Sequence, residues 1–214
     1  MAIKKESVQT SPLIKQKDLS QFPPRQRILA AALKLFVEQG YFNTNVPDLS
    51  RESKCSVGSI YHTFKNKEEI ASALYEEAMR AFRAGLIRSV LAENTPEKVI
   101  KSLITSFLEF SEANYQLSKY IWLCRHNEFM SGIIKHPTQV GFDKLGRHLT
   151  KVIKKAIKSG ELKDMPANLI WSALFGIPLA YVRDWLDGYN KVPPSAVVGK
   201  ISELCWCALR VEKK

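Results

Sequence analysis

Residues 45–67, NVPDLSRESKCSVGSIYHTFKNK, contain three signals for the start of a helix. The signals are Asn45 with Asp48, Ser56, and Asn66 with Glu69. In each, a side-chain oxygen is spaced to accept a hydrogen bond from an N–H group that the first helical turn leaves without a partner. The segment therefore predicts two short helices and the start of a third. Helices of about two turns bury too little surface to be stable alone, so neighbouring helices must brace them.

The middle helix, from Val57 to about Thr63, has an unusual surface. Ile60 and Phe64 are spaced i, i+4 and are predicted to face the core. The side chains left outward are Val57, Ser59, Tyr61 and His62. A helix, a tight turn and a second short helix form the unit that places its second helix in the DNA major groove. We therefore interpret residues 45–67 as a DNA-recognising helix-turn-helix.

Helices are expected on both sides of this unit. Pro23 and Pro24 suit a first helical turn, where the missing N–H has no partner in any case, and Gly40 suits the left-handed residue that ends a helix. Ile28 and Phe36 between them predict an apolar face that covers the helix-turn-helix. From residue 67 a long helix is expected to continue to about residue 92.

The remaining sequence is helical in pattern, with breaks at Thr95-Pro96, His136-Pro137, Ser159-Gly160, Met165-Pro166 and Pro193-Pro194. It contains no alternating apolar and polar run and no repeat. We expect an all-α protein of about nine helices, in which an N-terminal three-helix DNA-binding domain precedes a C-terminal helical domain for ligand binding and dimerisation.

The composition limits the function classes. The 214 residues carry a formal net charge of +11, which favours polyanionic partners, and 45% apolar residues are enough for a core. Four cysteines without a recurring framework favour a reducing compartment, so a cytoplasmic location is expected, and no apolar run is long enough to cross a membrane. Residues 1–22 are predicted to be a flexible basic arm; it is either a leader without a role or a DNA contact.

Enzymatic and metal-binding functions are not expected. The sequence lacks a Gly-x-Ser-x-Gly elbow, a phosphate-binding P-loop and a dinucleotide glycine fingerprint. Cys205 and Cys207 are i, i+2 on a predicted helix and point about 200° apart, so they do not share a metal ion readily. Cys124 and His126 fail for the same reason. We therefore predict no catalytic residue, no metal and no cofactor.

Residues 25–74 resemble the TetR family of one-component transcriptional regulators. The resemblance lies in ILAAALKLFVEQGY, in the Asp48-Leu49 pair and in SVGSIYHTFKNKEEI. It implies a homodimer whose two third helices enter successive major grooves of a palindromic double-stranded operator. It also implies a repressor, released when a small, largely apolar effector binds the C-terminal domain. The domains expected on this basis are 23–66 for DNA binding, 67–92 as a connecting helix, and 93–214 for ligand binding and dimerisation.

The resemblance also assigns DNA-facing positions. These are Thr44, Asn45, Val57, Gly58, Ser59, Tyr61, His62 and Lys67. Tyr61 and Lys67 suit phosphate contacts, whereas Ser59 and His62 suit base edges and Val57 suits a thymine methyl group. Three positions depart from the family pattern: Pro47 early in the second helix, Ser50 at a small position, and Lys54 at a turn position that is usually glycine. A solvated surface remains the alternative for each outward residue.

Aromatic and polar residues of the C-terminal region are candidates for the effector site. Phe107, Trp122, His126 and Phe175 form the predicted lining, in which His126 supplies a group that donates and accepts hydrogen bonds near neutral pH. Ordinary core packing is the alternative for each of them. A strongly basic helix from about Pro137 to Lys158 either contacts an acidic ligand or membrane surface or is a solvated face.

The last two helices, Ala167 to about Asp187 and Ser195 to Val211, are richly apolar. By the resemblance they form the dimer interface, and Pro178 is predicted to kink the first of them. The alternative is that they are core helices of a monomer. The alternative function for the whole chain is an α-helical small-molecule-binding or protein-interaction module that does not bind specific DNA sequences.

Overall fold

The computed structural model describes residues 21–124 and 144–212. Within these ranges the regular structure is helical, apart from one antiparallel bridge between Leu162 and Arg210. If residues 167–186 are counted as one interrupted helix, the described residues form nine helices, so the predicted all-α fold is confirmed. None of these helices is long and apolar enough to cross a membrane. The predicted arm, residues 1–22, lies outside the described residues except for its last two positions.

The chain forms two compact units. Among the described residues, the first unit comprises 21–81 and 116–124, and the second comprises 82–115 and 144–212. The first contains α1 (Pro24–Glu38), α2 (Val46–Ser53), α3 (Val57–Thr63), the first part of α4 (Lys67–Leu91), and most of α6 (Tyr115–Leu123). The second contains the rest of α4, α5 (Pro96–Ala113), α7 (Lys144–Lys158), α8 (Ala167–Trp171), α9 (Ile177–Leu186) and α10 (Val198–Leu209).

Helix α1 braces the two helices that follow it. It begins at Pro24, as the proline pair predicts, and its buried face packs against both α2 and α3. Ile28 is fully buried, as is Phe36 apart from 1% of its surface. Gly40, two residues beyond the helix, has a φ of +87°, a conformation that costs glycine little. The predicted brace is therefore confirmed.

Helix α6 is tied to the first unit by Tyr120. This tyrosine is completely buried, its hydroxyl donates a 2.9 Å hydrogen bond to the main-chain oxygen of Ala71 in α4, and its ring stacks on Phe36 at 6.2 Å. The aromatic ring supplies buried area, while the hydroxyl requires a partner once water is excluded. One side chain thus holds α6 against both α1 and α4.

Helix α5 is the central helix of the second unit. It packs against α7, α9 and α10, and its inward residues Leu103, Ile104 and Phe107 are at most 1% exposed. Its amphipathic spacing produces this result, because the apolar residues recur every three to four positions. The inward side chains of α5 therefore form the centre of the core of the second unit.

A π-helical turn, Ser172–Gly176, separates α8 from α9. Pro178 lies two residues beyond this turn. Inside an α-helix, a proline has no N–H to donate, and its ring clashes with the carbonyl of the residue four positions earlier. A wider turn moves that carbonyl aside, and π-turns inside α-helices are often found at functional sites. The predicted disturbance near Pro178 therefore takes the form of a widened turn.

Candidate nucleic-acid interface

The start of α2 is fixed by the two residues that the sequence predicts. The Oδ1 atom of Asn45 accepts a 2.9 Å hydrogen bond from the Asp48 amide, and a carboxylate oxygen of Asp48 accepts one of 3.1 Å from the Asn45 amide. This reciprocal capping box is therefore confirmed. It holds Asn45 exposed at the N-terminus of the helix, where free N–H groups favour an anion.

The turn between α2 and α3 depends on Lys54 and Arg27. Lys54 adopts a left-handed conformation with φ +54° and ψ +32°. It occupies the turn position that is usually glycine. Arg27 of α1 donates a 2.9 Å hydrogen bond from Nε to the Ser53 oxygen, and its Nη2 donates to the Lys54 oxygen. A helix C-terminus leaves such carbonyls without partners, so Arg27 satisfies the end of α2 from another helix.

Helix α3 begins where Ser56 predicts, since the Ser56 hydroxyl accepts a 3.1 Å hydrogen bond from the Ser59 amide. Ile60 is completely buried on the inner side of α3. On the outer side Val57 is 41% exposed and Tyr61 is 54% exposed. Gly58 and His62 are also exposed, and Ser59 is half-buried. The predicted division of α3 into an inner face and an outer face is confirmed.

Gly58 is not required by the packing of the protein itself. A β-carbon added there would meet only the Ser56 hydroxyl, at 4.0 Å, and the backbone of Gly58 is not in the left-handed region. The protein would therefore tolerate a side chain at this position. Without a side chain at Gly58, the backbone of α3 is accessible from the outer side of the helix.

Two of the predicted DNA-facing side chains are engaged inside the protein. Thr44 is only 1% exposed, and its hydroxyl donates a 2.8 Å hydrogen bond to the Gly40 oxygen. The Lys67 ammonium donates 2.9 Å hydrogen bonds to the oxygens of Tyr41 and Thr44 and lies 4.2 Å from the centre of the Tyr41 ring. Burial lowers the pKa of Lys67. Both side chains fix the loop between α1 and α2, a function that their positions in the sequence do not reveal.

The candidate effector residues are distributed over both units. In the second unit, the Phe107 and Phe175 rings contact each other at 6.2 Å, and Phe175 stacks on Trp171 at 5.6 Å. Phe107 also meets Phe82 edge-on at 5.6 Å. These rings, which sequence periodicity does not connect, form an aromatic row through the unit. Trp122 belongs to the first unit, and His126 lies outside the described residues.

Comparison with known proteins agrees with this geometry. The profile of bacterial regulatory proteins, tetR family, matches residues 28–74. The fatty acid metabolism regulator protein of Bacillus subtilis (strain 168) is 23% identical over 198 residues, which cover 85% of this chain and 93% of that protein.

Two solved structures have the same fold. A TetR family transcription regulator from Marinobacter aquaeolei VT8 superposes with a TM-score of 0.73 at 15% identity, covering 88% of this chain and 96% of that chain. FadR from Bacillus subtilis, solved in complex with stearoyl-CoA, superposes with a TM-score of 0.70 at 21% identity, covering 85% and 97%.

A capped and braced pair of short helices with an exposed second helix, joined to a separate helical unit, defines a helix-turn-helix DNA-binding protein. Residues 28–74 of the chain belong to the TetR family of transcriptional regulators. The chain is a ligand-responsive DNA-binding regulator, as the resemblance at residues 25–74 predicts.

Proposed function

We propose that two copies of this chain bind a palindromic operator and repress transcription until a long-chain fatty acyl effector binds the second unit. The observation that carries the DNA-binding part is the outer face of α3, where Val57, Tyr61 and His62 are exposed beside Gly58. A surface helix that only completes a fold gains nothing from an exposed valine and tyrosine next to a glycine. In a helix that enters a DNA groove, the glycine allows the backbone to come close to the DNA, and the exposed valine and tyrosine make contacts with it.

Different side chains have different tasks in this proposal. Tyr61 donates its hydroxyl to a phosphate, while His62 and Ser59 meet base edges and Val57 meets a thymine methyl group. Thr44 and Lys67 act mainly by positioning the loop before α2, because their polar atoms bond main-chain oxygens within the protein. The net charge of +11 supplies the general attraction to phosphates.

The exposed apolar surface of the last helices supports the homodimer. Leu169 at the start of α8 is 51% exposed and Leu204 in α10 is 58% exposed. Ser172, Gly176 and Ala180, each four residues apart, are also exposed, and small residues at this spacing permit close approach of another helix. An apolar surface on two adjacent helices is typical of a two-fold interface, in which the same patch meets its own copy.

The aromatic row of the second unit supports an apolar effector. The row contains four rings, those of Phe82, Phe107, Phe175 and Trp171, in successive contact, and it includes the π-helical turn. Aromatic surfaces with few polar groups suit a hydrocarbon chain. The relative solved with stearoyl-CoA and the relative named for fatty acid metabolism indicate which hydrocarbon to test first.

DNA binding is tested by fluorescence anisotropy with the DNA that flanks the gene. We expect Tyr61→Ala to weaken binding at unchanged thermal stability, whereas Tyr189→Ala, which removes a tyrosine that is 85% exposed in the second unit, leaves binding unchanged. Equal affinity for the operator and for unrelated DNA would favour the alternative, a helical binding module without sequence preference.

The dimer and the effector need separate measurements. In size-exclusion chromatography with light scattering we expect a dimer. Leu204→Glu should convert the dimer to a monomer. Val192→Glu, a change at a 47% exposed residue in the loop before α10, should not.

Oleoyl-CoA should release the operator and acetyl-CoA should not. If Phe175→Ala left the response to oleoyl-CoA intact, the aromatic row would not be the effector site.

A further inference from the structure

Lys54 has a backbone conformation that suits glycine better than lysine. Its φ of +54° and ψ of +32° lie in the left-handed region, where the β-carbon of an L-residue crowds the main chain. Strained residues of this kind concentrate at functional sites, where the surrounding structure holds them in place. A glycine would make the same turn without strain. The conformation therefore points to a function for the lysine side chain.

Within the described part of the chain, the Lys54 side chain has no partner. The residue is exposed, and its ammonium forms no ion pair or hydrogen bond with residues 21–124 or 144–212. Its main-chain oxygen, by contrast, accepts a hydrogen bond from Arg27 of α1. The backbone of the turn is thus held by another helix, while the side chain extends into solvent.

The end of α2 does not account for this lysine. A cation near a helix C-terminus stabilises the helix, because the last carbonyl groups carry a partial negative charge. The guanidinium of Arg27 already donates to the oxygens of Ser53 and Lys54. Arg51 adds a second cation in the last turn of α2. Because two cations are present there, a third adds little to the stability of the helix.

Lys54 lies directly before the exposed outer face of α3. It precedes Val57, the first residue of α3, by three positions, so the two Cα atoms are at most about 11 Å apart. A helix with its side chains is about 10–12 Å wide, and the major groove that admits it is about 12 Å wide. The residues that flank such a helix therefore lie over the edges of the groove, where the phosphates are.

A second exposed lysine flanks the other end of α3. Lys65 follows Thr63, the last residue of the helix, by two positions. Like Lys54, it forms no ion pair with a carboxylate in the described ranges. Lysine is a compact charge on a flexible four-carbon stem, so it reaches a phosphate without the strict geometry that arginine requires. Helix α3 thus has one available cation before it and one after it.

We propose that Lys54 binds a DNA phosphate and so fixes the N-terminal end of α3 in the groove. The contact offsets the strain of the left-handed turn only when DNA is bound. This inference rests on the proposed DNA-binding function and adds a residue of the turn to the outer face of α3. Because phosphates are the same in every DNA sequence, the contact contributes affinity and orientation but no base preference.

The test uses a substitution whose binding defect cannot be attributed to unfolding. Lys54→Gly removes the ammonium and also relieves the strain, so the variant should be more stable and yet bind DNA more weakly. Lys54→Gln removes the charge and keeps the strained backbone, whereas Lys54→Arg keeps the charge. Lys98→Gln, at an exposed position of α5, removes the same charge from the second unit.

Two properties of each full-length variant are measured. Fluorescence anisotropy at several salt concentrations gives the affinity for the DNA that flanks the gene and for an unrelated duplex, and urea unfolding gives the stability. Lys54→Gly and Lys54→Gln should bind both DNAs roughly tenfold more weakly, because a charged hydrogen bond to phosphate is lost. The log–log salt slope should become shallower by about 0.9 for each phosphate contact that is removed.

The two remaining variants serve as controls. Lys54→Arg should keep the affinity to within about twofold, since a guanidinium also binds phosphate. Lys98→Gln should match the unmodified protein in affinity, salt slope and stability. A loss of affinity by Lys98→Gln equal to that of Lys54→Gln would attribute the effect to net charge and would overturn the inference.

Three other results would also overturn the inference. If Lys54→Gly keeps the affinity and salt slope of the unmodified protein, Lys54 does not contact phosphate, although operator binding by α3 still stands. If Lys54→Gln loses affinity only in proportion to a loss of stability, the cation serves the end of α2. If the unmodified protein binds the operator and unrelated DNA equally well, the proposed sequence-specific function is wrong and the inference falls with it.

Discussion

Arg27 in α1 holds the main-chain oxygen of Lys54, the residue at which the chain turns from α2 into α3. Lys54 has a positive φ, and within the described ranges it is the one residue other than glycine that does. The orientation of the outer face of α3 therefore depends on an arginine that lies 27 residues earlier in the chain.

Lys54→Gly should stabilise the protein. A left-handed conformation costs an ordinary residue about 1–2 kcal/mol, and glycine adopts it freely but loses about 0.5–1 kcal/mol of chain entropy on folding. The net gain should be about 0.5–1 kcal/mol in urea unfolding. Lys54→Ala is the matched control, because it removes the same charge and keeps the strain. Equal stabilisation by both variants would attribute the effect to charge and not to the backbone.

Arg27→Ala should destabilise the first unit and weaken DNA binding. The variant leaves the oxygens of Ser53 and Lys54 without their donor, a loss of about 1–3 kcal/mol for hydrogen bonds from a charged group. Arg27→Lys should recover only part of the loss, because an ammonium cannot reproduce the two-pronged geometry of a guanidinium. Unfolding in urea and operator affinity measure the two effects. Full recovery by lysine would mean that charge alone matters at this position.

Lys67→Ala should reduce both stability and operator affinity. The sequence alone predicts a phosphate contact, but the ammonium holds the oxygens of Tyr41 and Thr44, so about 1–2 kcal/mol of stability should be lost. Lys65→Ala, at an exposed position just after α3, should instead reduce the log–log salt slope of binding by about one unit at unchanged stability. A slope change for Lys67→Ala without loss of stability would restore Lys67 as a simple phosphate contact.

Tyr120→Phe should lower the free energy of unfolding by about 1 kcal/mol, because it removes the hydrogen bond to the Ala71 oxygen and keeps the buried ring. Tyr115→Phe is the control in the same helix; Tyr115 is 38% exposed and its hydroxyl bonds the Leu186 oxygen at a longer 3.3 Å. It should change stability by only a few tenths of a kcal/mol. If the two substitutions cost the same, the buried hydroxyl of Tyr120 has no special role.

Stability should fall at alkaline pH, in part because of Cys205. Burial raises the pKa of this completely buried thiol from 9.0 to about 11. The thiol stays protonated in the folded protein while it ionises in the unfolded chain, so its contribution is present below pH 9 and is lost as the pH rises to about 11. Cys205→Ala should flatten the decline between these values in denaturation series. An identical pH dependence in the variant would exclude the thiol as a cause.

Much of the first unit was predictable from sequence because its signals are local. The capping box at Asn45 and Asp48, the cap at Ser56 and the proline at the start of α1 each act within four residues along the chain. The burial of Ile60 follows from helical periodicity alone. The positive φ of Lys54 follows from its place at a turn that usually contains glycine.

The contacts between elements were not predictable in the same way. Thr44 has the sequence position of a DNA contact, yet it is buried and its hydroxyl donates a hydrogen bond to the Gly40 oxygen. The aromatic row joins Phe82, Phe107 and Phe175, which lie on separate segments and share no spacing in the sequence. No single sequence reveals such partners, because they depend on how helices pack.

The sequence by itself determined the all-α class, the starts of α1, α2 and α3, the outward face of α3 and the TetR resemblance, since caps, prolines, glycines and periodicity act over one or two turns. Only the tertiary structure decided which polar atoms remain for other molecules. It assigned the ammonium of Lys67 to two main-chain oxygens and left the Nε2 atom of His148 without a partner among the described residues. The physical reason is that hydrogen bonds are satisfied across elements once water is excluded, and a sequence does not specify which elements meet.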